Sequence, residues 1–244
     1  MGRAAAPSQA GHGGPGESRE RARGRRNQAR GRRPTLNLPN AITTGRILSA
    51  PIVTALLLQP RPAPRMIAFV VFVLAALSDL WDGHLARARG EVTSFGKIID
   101  PLADKLLLVA ALIPVYTINL GQVGTPSLPL FHVIPLWAIL IFLGREALIT
   151  LLRSLAARRG RIVAAQILGK RKALAQNIFI GSAILWVAFL TPGFVAPGGR
   201  AWQAFSAFHG WFTTTFLTLA VLLTLASAVT YLGTFSRVMA GRHS

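Results

Sequence analysis

Four aspartates, Asp79, Asp82, Asp100 and Asp104, fall within residues 78–105, SDLWDGHLARARGEVTSFGKIIDPLADK, and the chain has no other aspartate. Apolar segments lead into this stretch (66–77) and out of it (106–116). If both cross a bilayer, four carboxylates stand at a membrane boundary, where an unpaired charge is costly and marks function. On a helix, Asp79 shares a face with Asp82 and Gly83, and Asp100 shares one with Asp104. Two helices that each offer two carboxylates to a common gap make an oxygen-rich site suited to a hard divalent cation such as Mg²⁺ or Mn²⁺. The alternative is a set of structural ion pairs with Arg87, Arg89, Lys97 and Lys105. Four facing carboxylates repel strongly unless protons or cations neutralise them. Metal binding is therefore the favoured reading.

The elements that must position these groups are apolar blocks. The chain has 244 residues, 52% of them hydrophobic, no cysteine and a formal charge of +19. Its apolar residues run in long blocks rather than amphipathic stripes, which predicts membrane spans. Without cysteine there is no disulfide or thiolate chemistry. Residues 1–34, rich in Gly, Arg, Ala and Pro, cannot bury enough apolar surface to fold alone and are expected to be disordered. They lack the apolar middle of a secretory signal. The basic residues cluster in this tail and beside apolar spans, the pattern for contact with an anionic cytoplasmic leaflet. Nucleic-acid binding is the lesser alternative.

The predicted fold class is all-α, a polytopic membrane protein with six transmembrane helices over 41–58, 66–87, 95–118, 133–157, 173–190 and 212–235. Asn40 is expected to cap the first and Trp202 to sit in the last loop as an interfacial anchor. A proline near a helix start loses little hydrogen bonding, which makes Pro101 tolerable in the third. The domain reading is a basic tail (1–34), a membrane-embedded catalytic body (35–238) and a short cytoplasmic tail (239–244). Both termini and the acidic site then face the cytoplasm, as do the basic loops, except Arg61 and Arg65, which the scheme does not explain. Arg46, alone in the first span, either snorkels to headgroups or faces the site and holds a phosphate. His84, His132 and His209 have no metal-type spacing. Trp137, Trp186 and Trp211 read as lipid-facing or packing groups.

The pattern D79-x2-D82-G83-x2-A86-R87-x8-G96-x3-D100-x3-D104 resembles, at every defined position, the motif of the CDP-alcohol phosphatidyltransferase family. The resemblance implies an integral membrane enzyme that moves a phosphatidyl group from CDP-diacylglycerol to an alcohol and releases CMP. It implies two metal ions held by Asp79, Asp82, Asp100 and Asp104, with Asp104 as general base for the attacking hydroxyl. It also implies a nucleotide pocket at Asp79, Gly83, Ala86, Arg87 and Gly96. On the residues alone, Gly83 and Ala86 read equally as close helix packing, and Arg87 as a salt bridge to a motif carboxylate.

NLPNAITTGRI at 37–47, Arg145-Glu146, Arg153 and GKRKALAQ at 169–176 are similar to the corresponding pieces of the family's phosphatidylglycerophosphate synthase branch. That likeness implies glycerol 3-phosphate as acceptor. Arg46, Lys105, Arg145, Arg153, Lys170 and Lys172 would form its phosphate pocket, since bidentate arginine suits a phosphate. The alternative is that the loop bases only set topology. The same reaction with phosphatidylglycerol or a phosphorylated inositol as acceptor stays open. A cation channel or transporter would also use intramembrane carboxylates, but it leaves the spacing of Gly83, Ala86 and Arg87 unaccounted for. Anionic lipids are expected partners, and a homodimer is expected by analogy with the family.

Overall fold

The computed structural model describes residues 38–89, 94–121, 128–131, 133–160 and 167–240, without the side chains of 38–43, 79–102, 104, 167–168 and 170. Within these limits the protein is all helical: α1 (Leu38–Leu57), α2 (Pro62–Arg89), α3 (Ser94–Leu120), α4 (Leu136–Arg158), α5 (Ile167–Phe189) and α6 (Gly199–Met239). The tail expected over 1–34 and the last four residues lie outside the described residues.

The centre of the body is α5. Beyond Asn177 it is apolar on all sides, as a helix enclosed by others must be, and it packs against α6, α2 and α3, while α4 leans on α6 and α3. Ala68, Ala75, Ala111, Ala138, Ala175, Ala183 and Ala220 are buried at these crossings. Small side chains let helix backbones approach closely where lipid supplies no hydrophobic drive. Phe72, Phe142, Phe179 and Ile184 fill the space between.

The outer surface is the reverse of a water-soluble one. Leu48, Leu58, Leu74, Leu140, Leu151, Leu222 and Val229 are all more than half exposed. Apolar surface spread over every side of a bundle needs a lipid solvent. By length and hydropathy, Arg171–Phe189 and Gly199–Met239 are the two helices fit to cross a bilayer among the described residues, and shorter apolar helices run over Thr44–Leu57, Pro62–Ser78 and Lys105–Leu120.

Several boundaries differ from the sequence reading. Asn40 lies inside α1 rather than capping it, because the helix opens at Leu38 and takes Pro39 into its first turn, where a missing N–H costs nothing. Pro101 is the eighth residue of α3, past the first turn. Lys172, expected in a loop, is in α5. Trp202 is helical too: α6 begins at Gly199 and runs 41 residues, about 60 Å at 1.5 Å per residue. Two glycines at positive φ, Gly198 and Gly199, make the break before it. The early turns of α6 hold because Trp202 and Phe205 pack on Phe189 at ring-centroid distances of 5.5 and 5.7 Å.

One buried polar group secures two helix ends. Arg65 is 6% exposed; its Nε donates to the Leu57 carbonyl at 3.1 Å and its Nη1 to Thr191 Oγ1 at 2.7 Å. One guanidinium thus ties the α1–α2 corner to the end of α5, which gives this basic residue a structural role that charge topology does not supply. Arg61 is exposed, and nothing in the structure explains it. Arg65→Ala strands a helix-terminal carbonyl and is expected to cost about 2–3 kcal/mol. Thermal unfolding of the detergent-solubilised protein would show it as a lowered midpoint.

His209 is buried against Ser182 Oγ (3.1 Å from Nε2) and stacks on Trp186 at 5.0 Å. It is a satisfied core histidine, and His84 and His132 lie outside the described side chains. Trp186 is packed inside, whereas Trp137 and Trp211 face outward.

Candidate active site

Helix α2 carries Asp79, Asp82, Gly83, Ala86 and Arg87 in its last eleven residues, and α3 carries Gly96, Asp100, Asp104 and Lys105 in its first twelve. The side chains of these residues, Lys105 excepted, lie outside the described ones. The backbone still fixes a relation between them. Only residues 90–93 separate the two helices, so the end of α2 and the start of α3 are held within one short connection of each other. Asp82 and Asp100 are each about 10 Å along the axis from that junction, and Asp79 and Asp104 about 15 Å. Spacings of three and four keep each pair on one face of its helix. The donor set, carboxylate oxygens only, fits a hard divalent cation. Among the described residues no group of three or more His, Cys, Asp or Glu side chains forms a second such site.

From Lys105, the residue after Asp104, the structure extends a cationic cluster over three helices. Arg145 on α4 donates from Nη1 to Glu146 Oε1 at 2.8 Å, and Lys172 on α5 bonds to the same oxygen. Lys105 on α3 reaches Thr150 Oγ1 on α4. Lys172 is almost wholly buried, with 5% of its side chain exposed, and Arg145 has 14%. Gly169, nearly a turn before Lys172, lies beside Arg145: a Cβ there would sit at an ordinary contact distance, 3.9 Å, from Nη2.

Arg46 is 3% exposed and shares the inner face of α1 with Ser49, Ala50, Val53 and Leu57. Of the two roles open to it, snorkelling is therefore out, and its guanidinium is inside the bundle. Arg153 is exposed, seven residues from Glu146 and so on the same side of α4, but it stands outside the Glu146 network. The side chain of Lys170 is not among the described ones.

Glu146 is the residue the sequence reading undervalued. The sequence offers Arg145 and Lys172 as ligands for an anion and assigns their mutual carboxylate no role. The signal was available: Glu146 is the only acidic residue after Asp104. Two basic side chains buried beside it in an apolar span need a counter-charge.

Comparison with known proteins bears on this arrangement. The family model for CDP-alcohol phosphatidyltransferase matches residues 36–240. The chain is 37% identical over 161 residues to a CDP-diacylglycerol–glycerol-3-phosphate 3-phosphatidyltransferase of Bacillus subtilis (strain 168), covering 61% of this chain and 77% of that protein. The enzyme of the same name from Rickettsia bellii (strain RML369-C) is 34% identical over 174 residues, 64% of this chain and 89% of that one. A probable phosphatidylglycerophosphate synthase of Mycobacterium tuberculosis (strain ATCC 25618 / H37Rv) is 34% identical over 161 residues, covering 65% and 70%.

Proposed function

The chain belongs to the CDP-alcohol phosphatidyltransferase family, and from that premise we propose that it transfers the phosphatidyl group of CDP-diacylglycerol to glycerol 3-phosphate, giving phosphatidylglycerol phosphate and CMP. The observation that carries this is the likeness to relatives of that printed activity over most of their length. The buried cations of the Glu146 cluster support a phosphorylated acceptor over a neutral one.

The enzyme is a membrane protein of a divalent-metal-dependent family. Asp79, Asp82, Asp100 and Asp104 would hold two Mg²⁺ or Mn²⁺ ions, whose chemistry is to offset charge on the diphosphate oxygens and the departing CMP. Gly83, Ala86 and Gly96 leave room for the nucleotide against the helix backbones, and Arg87 contacts the diphosphate. The acceptor's phosphate is taken by Arg145, Lys172, Lys105 and Arg46, with Lys170 and Arg153 at its approach. Asp104 accepts the proton of the attacking hydroxyl as its oxygen bonds to the phosphorus bearing diacylglycerol. The bond from that phosphorus to the bridging oxygen breaks, and CMP leaves with the electron pair.

With six membrane-spanning helices and both termini cytoplasmic, this site would lie at the inner leaflet, with the acyl chains in lipid and the cytidine in water. Anionic headgroups would draw in the basic tail.

The test is CMP release by the purified full-length protein with CDP-diacylglycerol, Mg²⁺ or Mn²⁺ and a panel of acceptors. Glycerol 3-phosphate is the expected preference, and chelation is expected to abolish turnover. Preference for phosphatidylglycerol or an inositol phosphate would move the enzyme to another branch. Metal-ion flux across vesicles without nucleotide would replace the enzyme by a channel. Arg145→Ala is expected to raise the KM for glycerol 3-phosphate about 10- to 100-fold, as loss of a charged hydrogen bond does. An equal rise in the KM for CDP-diacylglycerol would argue against the acceptor pocket.

A further inference from the structure

The Glu146 cluster contains hydrogen-bonding capacity that a phosphate alone does not use. Arg145 and Lys172 both bind Glu146 through Oε1. Among the described residues nothing bonds Oε2, and the side chain keeps 20% exposure. One turn beyond Lys172, on the same face of α5, stands Gln176. It is 3% exposed, and its Nε2 is buried without a hydrogen-bond partner, as is the Nε of Arg145. A buried amide donor left unmade costs about 1–3 kcal/mol, so such a group calls for a partner from water, an ion or a ligand.

The unspent groups differ in kind. Arg145 Nε and Gln176 Nε2 donate, while Glu146 Oε2 only accepts. A fully ionised phosphate has no proton to give that carboxylate and would be repelled by it. A hydroxyl can serve both kinds of group, giving its proton to a carboxylate oxygen and accepting from an amide N–H. Glycerol 3-phosphate carries two hydroxyls, of which one attacks phosphorus and the other is a spectator.

We propose that Glu146 and Gln176 form a subsite for the spectator hydroxyl of the acceptor, so that the pocket selects a vicinal diol phosphate over a simple hydroxyalkyl phosphate. This assignment rests on the acceptor being glycerol 3-phosphate. It gives Glu146 two duties, fixing Arg145 and Lys172 through one oxygen and reading the substrate through the other. It also accounts for a carboxylate being retained among cations recruited to bind an anion.

The experiment compares glycerol 3-phosphate with 3-hydroxypropyl phosphate, which lacks only the middle hydroxyl, as acceptors for the full-length protein in lipid nanodiscs with CDP-diacylglycerol and Mg²⁺. The wild-type protein is expected to favour glycerol 3-phosphate in kcat/KM by on the order of 100-fold or more, as sites built around a substrate hydroxyl do. Gln176→Met keeps the side-chain volume and removes the amide. It is expected to shrink that ratio to within about fivefold, mainly through the KM for glycerol 3-phosphate, because deleting the amide and deleting the hydroxyl remove the same contact. Gln176→Ala, with its thermal midpoint measured alongside, should shrink the ratio as well.

A wild-type protein that uses both acceptors alike overturns the proposal. So does a Gln176→Met protein that loses activity on both in proportion, since a merely structural role predicts that result. If neither compound supports CMP release while another alcohol does, the choice of acceptor itself falls, and the subsite with it.

Discussion

Asp104→Asn should leave a folded protein that still binds CDP-diacylglycerol and releases almost no CMP. The substitution is nearly isosteric but removes both the proton acceptor and one negative ligand charge. General-base catalysis contributes about 10²–10⁴-fold, and the loss of a metal ligand charge adds to it. A fall in kcat of at least 10³-fold, with CDP-diacylglycerol binding retained in a fluorescence or filtration assay, is the expected outcome. Normal turnover would sink the base assignment. A protein that neither binds nor turns over would instead place Asp104 chiefly among the ligands of the nucleotide's metal.

Glu146→Ala should be the most damaging single change outside the aspartates. It leaves Arg145 and Lys172 facing each other with no carboxylate between them, and Lys172 has only 5% of its side chain exposed. Breaking a buried ion pair from one side costs about 3–5 kcal/mol, because an uncompensated charge remains inside. The thermal midpoint in detergent should drop by several degrees, and CMP release should fall by at least 10²-fold. The double variant Glu146→Ala/Lys172→Met tests the cause. Removing the stranded cation should recover most of the lost midpoint while activity stays low. If the midpoint is not recovered, the pairing is not what stabilises this end of α4 and α5.

Much of the helix count was legible because apolar blocks separated by Pro, Gly and basic residues are what lipid requires of a chain. The helix starts were less so. Residues 200–211, RAWQAFSAFHGW, are too polar to read as a span, yet Trp202, Phe205 and His209 recur at helical spacing and find Phe189 and Trp186 to pack on. The hydropathy of the segment hid its periodicity. Lys172 was misplaced for a related reason: a basic run reads as a loop until its counter-ion, 26 residues away on α4, is known.

The aspartate pairs were legible from spacing alone as two helical faces, and the helices α2 and α3 run where that spacing needs them. Their meeting through side chains lies outside the described residues. Arg65 shows the limit of a topology rule. Charge bias says on which side of the membrane a base is expected, but Arg65 serves two oxygens, the Leu57 carbonyl and the Thr191 hydroxyl, that no linear pattern brings together.

The length of α6 has a consequence for the lipid around it. Between Arg200 and Arg237 the helix has no charged side chain, yet a hydrocarbon layer of about 30 Å takes up only some 20 helical residues. The surplus must lean, or rise through the headgroups as an aromatic collar of Trp202, Phe205, Phe208 and Trp211. Bilayer thickness then sets the inclination of α6, and because α6 packs along both α5 and α4, short-chain and long-chain vesicles should support different rates from the same enzyme.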